Sequence, residues 1–303
     1  MKPLYKDLLY AIISPFFSSV STVFKSGAAK ILSPVVVVGV GGLIGSIILF
    51  LVSVLKKDKI NFKKIKQHWR ALGILIILRT ILGELFLTFG LSLTTSIKAI
   101  FLTKIEPYFV LLIGVIFLNE RFEKRHIALL LIHLTGAIIL STGGNIMFAS
   151  KAQIGDLFII IAMALFASSY IYGKRLANSL GSTVSNAISM AIGSVIVLPF
   201  MVFLMPKIDF TSQFKGWIYL LVYVILFNVI SLSLWFASLK SVRGWIVSAL
   251  RYIGPVLGAP VAFLLFGETL STTQVLGAVI ILITSFLIAR EHLKKVEKSA
   301  RSA

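Results

Sequence analysis

The sequence predicts an all-α integral membrane protein in which ten transmembrane helices form two inverted five-helix repeats. Apolar residues make up 58% of the chain, charged residues make up 14%, and the mean hydropathy is +0.99. Soluble domains are only about 45–50% apolar, so most of this chain is expected to lie in lipid. Apolar runs of about 20 residues, the length that crosses a bilayer core, recur from end to end. Landmarks of the first half return in the second half at a spacing of about 148 residues, which indicates duplication.

Ten apolar segments are predicted to be transmembrane helices. They cover residues 8–24, 34–55, 71–92, 96–118, 126–143, 156–173, 183–205, 216–239, 244–266 and 272–289. The first run lacks a small-residue cleavage pattern, so it is interpreted as the first helix of the first repeat and not as a signal peptide. Because the connections are short, neighbouring helices are expected to pack antiparallel, and no soluble domain is expected.

The duplication is clearest around two proline-containing segments. Ile105-Glu106-Pro107 is followed by Glu120, and Ile253-Gly254-Pro255 is followed at the same distance by Glu268. Further matched pairs are Trp69 and Trp217, Leu91 and Leu239, Asp7 and Asp156, Phe17 and Phe166, Lys25 and Lys174, and Ser33 and Ser182, the last four with one extra residue of offset. We assign residues 1–147 to the first repeat, 148–292 to the second, and 293–303 to a basic cytoplasmic tail.

Each repeat contains an odd number of helices, so the second must enter the membrane from the face opposite to the first. Inverted repeats are typical of secondary transporters, because copies related by an axis in the membrane plane provide two conformations, one open to each side.

The net charge of +19 is distributed unevenly along the chain. If both termini are cytoplasmic, the inner segments carry 21 of the 30 Lys and Arg residues and the outer segments carry 5. The positive-inside rule therefore predicts cytoplasmic termini, in a multi-pass protein of a prokaryotic plasma membrane. Nucleic-acid binding is the rival explanation of the basic run from Lys56 to Arg70. Membrane spans bound this run on both sides, which favours a topology anchor near anionic lipid headgroups and no nucleic-acid partner.

The residues resemble those of the drug/metabolite transporter superfamily, and within it the ten-helix proteins built of two EamA domains. The motif is a helix with an internal proline that ends in Glu, followed by a helix with glycine nine or sixteen residues after that Glu. The first copy has Pro107, Glu120 and Gly136, and the second has Pro255, Glu268 and Gly277. The helix that opens with Gly155-Asp156 and the entry Leu32-Ser33-Pro34 are also similar to the family. Leu129, Thr284 and Lys6 depart from its common glycines. The resemblance covers nearly the whole chain and implies a carrier or exporter of small metabolites.

Pro107 and Pro255 are predicted to bend their helices. Each removes a backbone hydrogen bond and leaves a carbonyl one turn earlier without its partner. Such a carbonyl is tolerated in the membrane only where the helix faces protein or a wet cavity. The fourth and ninth helices are therefore expected to line the centre, although a purely structural bend is the alternative. Glu120 and Glu268 are interpreted as turn and helix-start anchors.

Ionisable residues inside the predicted spans are the strongest functional candidates, because a charge in hydrocarbon is costly. They are Arg79, Glu84, Lys98, Lys104, Glu106 and Arg251. Lys98 is expected to extend to the nearby headgroups. We expect Glu84 or Glu106 to neutralise one cation, while Lys104 and Arg251 are available for a substrate carboxylate or phosphate. A structural set of ion pairs is the alternative.

Other polar residues are candidates for the walls of the same site. Arg79, Tyr170, Asn228 and Tyr252 could contact the solute, although helix-packing hydrogen bonds explain them equally well. Glu106 is a candidate proton-coupling group because burial raises the pKa of a carboxylate, whereas nearby Lys104 or Arg251 would lower it.

His133 and two pairs of glycines are assigned structural roles. His133 has no second metal-ligating residue at a suitable spacing and is expected to be a core histidine. Gly41 with Gly45, and Gly254 with Gly258, are expected to mark close contacts between helices of one chain.

The expected function is secondary-active transport of a small metabolite, with H⁺ as the candidate coupling ion and membrane lipid as the surrounding partner. A channel, a lipid scramblase-like protein, and a carrier of zwitterionic amino acids or cationic metabolites remain alternatives. No enzymatic activity is expected, because no nucleophile with a base and no nucleotide-binding loop is present. No cofactor is expected, and the lack of cysteine excludes disulfides and thiolate metal sites.

Overall fold

The structure is a computed structural model that describes most of the chain. The described backbone comprises residues 3–58, 61–106, 108–110, 112–113, 124–144, 150–204, 211–231, 234, 238 and 253–301. These residues form helices and turns and contain no strand. Five helices in this part of the chain are long and apolar enough to cross a membrane, and three shorter apolar helices accompany them. The all-α membrane fold class is therefore confirmed.

The helices are numbered in chain order over the described residues. They are α1 (Pro3–Leu32), α2 (Pro34–Leu55), α3 (Phe62–Gln67), α4 (Trp69–Leu93), α5 (Ser96–Leu102), α6 (Lys124–Thr142), α7 (Lys151–Leu180), α8 (Ser182–Leu204), α9 (Phe214–Ser231), α10 (Gly254–Phe266) and α11 (Thr272–Arg301). We call the end of the bundle that contains Ser33, Thr94, Gly143 and Gly267 the Ser33 end. The opposite end, which contains Lys56 and Gly181, is the Gly181 end.

Two helices are longer than the sequence predicted. The first was predicted to end at residue 24, but α1 continues to Leu32 because Lys25 is buried and paired inside the protein. The sixth was predicted at 156–173, but α7 begins at Lys151, after Ser150 and Gln153 form a capping box. A charged residue therefore did not mark the membrane boundary in either case.

Two other helices differ from the prediction in their extent. The last one, predicted at 272–289, continues as α11 through the basic tail to Arg301. In the fourth, the α-helix passes at Leu102 into a 3₁₀ turn at Thr103–Ile105. Much of the remainder of the fourth, eighth and ninth predicted helices lies outside the described residues.

Pairing between helices follows the predicted repeat. Of the described helices, ten form five closely packed pairs: α1 with α9, α4 with α7, α2 with α8, α6 with α11, and α5 with α10. The repeat alignment matches α1 with α7 and α4 with α9. The α1–α9 pair of one arrangement therefore corresponds to the α4–α7 pair. The alignment converts each of the other three pairs into itself. A twofold axis between the two copies requires this pattern, so the packing supports the inverted repeat.

A local irregularity also repeats. The middle of α4 is π-helical at Ile76–Gly83, and the end of α9 is π-helical at Ile225–Ser231. The offset of the repeat places the first stretch over residues 224–231. π-Helical insertions are rare and often lie at functional sites, so their recurrence in both copies indicates an inherited feature of this helix.

Close helix contacts next to these stretches are also repeated. A Cβ atom on Gly45 of α2 would lie 2.6 Å from Asn228 Nδ2, and one on Gly193 of α8 would lie 2.5 Å from Thr80 Cγ2. Gly193 follows Gly45, and Asn228 follows Thr80, by the same number of residues, so the repeat relates the two contacts. A side chain at either position would displace a residue of a neighbouring helix, so both glycines mark close helix contacts.

The predicted glycine pairs make contacts within the chain. Gly41 lies against Leu220, while Gly254 and Gly258 both lie against Ser19 of α1. The expectation of intramolecular helix contacts is confirmed.

The outer surface of the bundle is apolar. Leu55 is 82% exposed and Leu264 is 78% exposed, and many other large apolar side chains of the spans are exposed. Such a surface is stable only where hydrocarbon takes the place of water.

Candidate functional site

A buried ion pair joins α1 to α4 inside the bundle. The ammonium of Lys25 contacts Glu84 Oε2, and Lys25 Nζ lies 5.3 Å from the ring centroid of Tyr223 on α9. Lys25 lies seven residues before the end of α1, and Glu84 lies nine residues before the end of α4. At 1.5 Å per residue, the pair lies about 10–14 Å from the Ser33 end. It is therefore deep in the membrane.

The sequence predicted part of this arrangement. Glu84 or Glu106 was expected to neutralise one cation, and Glu84 pairs with Lys25, which the prediction had left outside the first span. The assignment was wrong because hydropathy alone ended the first helix at the charged residue. The match of Lys25 to Lys174 did not correct it, because both lysines lay one residue beyond the end of a predicted span.

A second ion pair is almost completely buried near the Ser33 end. Lys98 Nζ lies 2.7 Å from Asp156 Oδ2 and donates to the carbonyl of Ser141 at 3.2 Å. Ser141 Oγ donates to Asp156 Oδ2, and Thr94 Oγ1 donates to Asp156 Oδ1, each at 2.5 Å. The expectation that Lys98 extends to lipid headgroups is wrong, because Asp156 and the carbonyl of Ser141 satisfy it inside the protein.

Glu268 anchors the start of α5. Its Oε2 accepts a hydrogen bond from the backbone N–H of Ile97 at 3.1 Å, and its Oε1 accepts one from Ser96 Oγ at 3.3 Å. Lys30 Nζ lies 3.2 Å from the same carboxylate. A carboxylate at a helix N-terminus is favourable because the first N–H groups lack helical acceptors. This geometry agrees with the predicted role as a helix-start anchor.

Two predicted site residues lie where α5 ends. Lys104 belongs to the 3₁₀ turn and Glu106 follows it, and both side chains are half-buried. Their distance from the first residue of α5 places them about 12–15 Å from the Ser33 end, at a depth similar to the Lys25–Glu84 pair. Pro107, Arg251 and Tyr252 lie outside the described residues.

The other described candidates have different neighbours. Asn228 is buried against Gly45 and Met190, and its Nδ2 has no hydrogen-bond partner among the described residues. Arg79 is exposed, with its guanidinium carbon 5.0 Å from the ring centroid of Phe166, and Tyr170 is an exposed residue of α7.

Pro255 lies in the first turn of α10, directly after Gly254. A proline is tolerated there because N–H groups of the first turn have no acceptor in the helix. The residues directly before Ile253 lie outside the described part of the chain, so a bend at Pro255 within a longer helix stays a prediction.

His133 lies in the core, as predicted. Its Nδ1 is 2.9 Å from Thr284 Oγ1, and its ring centroid is 4.4 Å from that of Tyr108. The described residues contain no group of three His, Asp or Glu side chains that could hold a metal ion.

The charges of the predicted spans can now be assigned more fully. Lys25 with Glu84 and Lys98 with Asp156 form two neutral pairs. The remaining ionisable residues of these spans in the sequence are Arg79, Lys104, Glu106 and Arg251. Their formal charges in the sequence sum to an excess of two positive charges.

Comparison with known proteins identifies the family. Residues 6–142 and 153–290 each match the EamA-like transporter family. The chain belongs to this family. Its members carry solutes across membranes, so this EamA-like chain is a multi-pass membrane transporter with a small-molecule substrate.

Several relatives and a solved structure have the same extent as this chain. It is 24% identical over 290 residues to an uncharacterized transporter of Clostridium kluyveri, which covers 93% of this chain and 92% of the relative. It is 23% identical to the uncharacterized transporter YoaV of Bacillus subtilis, over 82% and 84% of the two chains. A relative in Archaeoglobus fulgidus, also an uncharacterized transporter, is 22% identical over 95% and 99%. A crystal structure aligns with a TM-score of 0.61 and 15% identity over 93% and 98%, which shows a shared fold.

Proposed function

We propose that the protein is a secondary-active transporter that moves a small metabolite by alternating access. The observation that carries this proposal is that the repeat relates two packed helix pairs, α1 with α9 and α4 with α7. Two repeats related in this way can exchange conformations, and a site between them then opens to one side and afterwards to the other. The repeats comprise residues 1–147 and 148–292.

The proposed substrate carries a carboxylate or a phosphate. Lys104 and Arg251 supply the positive charge, since they occupy corresponding turns before the prolines of the two repeats. Arg79, Tyr170, Asn228 and Tyr252 are proposed to contribute further contacts, and Glu106 to balance one of the cations. The excess of two positive charges supports an anionic solute, because charge-assisted hydrogen bonds to a carboxylate or phosphate offset its transfer from water.

We propose that both termini lie in the cytoplasm of a prokaryote and that the Ser33 end faces outward. The short helix α3 carries three exposed lysines at the Gly181 end, and Lys64 Nζ donates to the carbonyl of Ser179 there at 3.3 Å. Phe62, its first residue, and Trp69, the first residue of α4, are largely exposed. Aromatic and basic side chains together are typical of the cytoplasmic membrane interface.

Transport in proteoliposomes tests the function. A thermal-shift screen against amino acids, sugar phosphates, nucleotides and carboxylates identifies a ligand, because a bound ligand stabilises the folded state. Saturable counterflow of that ligand is expected. Flux without saturation or exchange would indicate a channel instead, and movement of labelled lipid would indicate a scramblase.

Two variants test the proposed site. Lys104→Gln and Arg251→Gln are each expected to weaken apparent substrate affinity about tenfold or more, since a hydrogen bond to a charged group contributes about 1.5–3 kcal/mol. Lys151→Gln is the matched control, because Lys151 is an exposed cation in the first turn of α7. Wild-type counterflow in both site variants would refute the assignment, and a zwitterionic or cationic ligand would reverse the proposed substrate charge.

A further inference from the structure

The Lys25–Glu84 pair is unequally accessible. The side chain of Lys25 is 5% exposed, whereas that of Glu84 is 32% exposed. Tyr223 covers the ammonium group, with its ring centroid 5.3 Å from Lys25 Nζ. Of the two charged groups, the carboxylate is the more accessible one at the surface of the protein. The ligand that a carboxylate takes up most readily is a proton.

Few other titratable groups surround Glu84. From the neighbouring helices, α1 brings Lys25 and α9 brings Tyr223, while α2 and α8 contain no titratable residue. Towards the Ser33 end, Asp156 of α7 is already paired with Lys98 of α5. Charged or titratable residues further towards the Gly181 end are Arg79 on α4 itself and Tyr170, Tyr172, Lys174 and Arg175 on α7. The charge of Glu84 is therefore balanced chiefly by Lys25.

The pair is specific to the first repeat. In the repeat alignment Lys25 corresponds to Lys174, but Glu84 corresponds to Leu232 and Tyr223 corresponds to Leu75. When the two repeats exchange conformations, α1 leaves α4 and the Lys25–Glu84 contact breaks. Lys174 cannot form the equivalent ion pair, because Leu232 stands in place of the carboxylate. The pair favours the arrangement seen here, in which α1 is held against α4.

We propose that Glu84 is a proton-binding site that controls access at the Ser33 end, a role that rests on the transport cycle proposed above. The ionised carboxylate holds Lys25 and keeps α1 on α4. A proton that binds to the Glu84 carboxylate removes its charge and leaves the ammonium of Lys25 buried without a counter-ion. Because a buried unpaired charge is unstable, α1 separates from α4 and water reaches Lys25. Release of the proton restores the pair, so the protonation state of Glu84 determines which conformation is favoured.

The absence of cysteine makes this proposal directly testable. Ser26 is fully buried beside Lys25, and its Oγ donates to the carbonyl of Leu91 on α4 at 3.0 Å. A Ser26→Cys variant therefore places a single thiol in the α1–α4 interface. Its reaction with N-ethylmaleimide, expressed relative to the unfolded protein at the same pH, measures how often the interface opens.

The expected result is a rise of about threefold in relative labelling from about pH 7 to about pH 4, the range in which an unpaired Glu carboxylate becomes protonated. Adding Glu84→Gln is expected to give the high labelling rate at both pH values. Ser194→Cys is the matched control, because Ser194 is equally buried but faces Gly42 in the α2–α8 interface. Its labelling is expected to stay low and unchanged at both pH values.

A second variant excludes misfolding as the cause. The double substitution Lys25→Met with Glu84→Gln removes both charges, so no unpaired charge remains in the interior. In the Ser26→Cys background it is expected to fold and to label the introduced thiol at a rate that does not depend on pH. The proposal is overturned if either Gln variant keeps the wild-type pH dependence. Labelling requires no substrate, so this result is independent of whether the proposed anion transport is correct.

Discussion

Replacing Asp156 with asparagine is expected to destabilise the protein by about 3–5 kcal/mol, because it leaves a buried lysine without its counter-ion. Asp156 accepts hydrogen bonds from Thr94, Ser141 and Lys98. The asparagine oxygen can still accept from Thr94, and the hydroxyl of Ser141 can rotate to accept from the new amide group. Lys98 cannot adapt in this way, because an ammonium group only donates.

The magnitude follows mainly from burial. The side chains of Lys98 and Asp156 are 6% and 2% exposed, so water cannot replace the lost contact. A Lys98→Met single variant is expected to destabilise by a similar amount, because it strands the carboxylate. The double variant removes both charges and is expected to recover most of the loss, since replacing a whole buried pair with uncharged groups is often nearly neutral.

Reversible unfolding by SDS in mixed micelles provides the assay, with the fluorescence of the four tryptophans as the signal. Lys30→Met is the control, because it breaks a pair with Glu268 in which the lysine side chain is 35% exposed. Such a partly exposed pair contributes about 0–1 kcal/mol. If the losses of the two single variants simply add in the double variant, Lys98 and Asp156 are not coupled and the reasoning is wrong.

Three further predictions follow from the repeat and from the membrane carboxylates. Ser33 has φ of 84° and ψ of 147°, and Gly181 at the corresponding turn has 84° and 146°. Ser33→Gly is thus expected to stabilise the protein by about 1 kcal/mol or more in the same SDS titration, because this region favours glycine; an unchanged or lower stability would contradict it. Gly193→Ala is expected to cost more than Gly45→Ala, within about 1–3 kcal/mol. The new methyl group at Gly193 meets the rigid Cβ of Thr80 at 2.9 Å, whereas at Gly45 it meets only the flexible ends of two side chains; equal losses would contradict this. Glu106→Gln is expected to leave the pH dependence of counterflow unchanged, because Glu84 binds the proton. Loss of that pH dependence would show that Glu106 binds the proton instead.

The repeat could be predicted because identical residues recur in the two halves at a nearly constant spacing. Trp69 and Trp217, or Pro107 and Pro255, can be matched without any structural information. Their alignment also predicts which helices must pack together once a twofold axis is assumed. The fold class followed from the sequence for this reason.

The partners of the buried charges could not be predicted in the same way. Hydropathy ended the first span before Lys25 and led to the expectation that Lys98 extends to the headgroups, because it assigns each residue a cost without regard to its neighbours. In the structure Glu84 and Asp156 remove that cost across helices that are far apart in sequence. The pairing depends on how the helices are rotated about their axes, which short-range patterns do not specify.

Symmetric and asymmetric contacts have different consequences in a duplicated transporter. The contacts of Gly45 with Asn228 and of Gly193 with Thr80 are exchanged by the repeat, so they stabilise both conformations equally and cannot favour either one. The contact of Lys25 with Glu84 has no counterpart in the second repeat, so it stabilises only one of the two conformations. A ligand shifts an equilibrium only by its differential affinity for the two states. Proton binding at Glu84 meets this condition, whereas substitutions at the symmetric glycine contacts should alter stability without changing the preferred direction of opening.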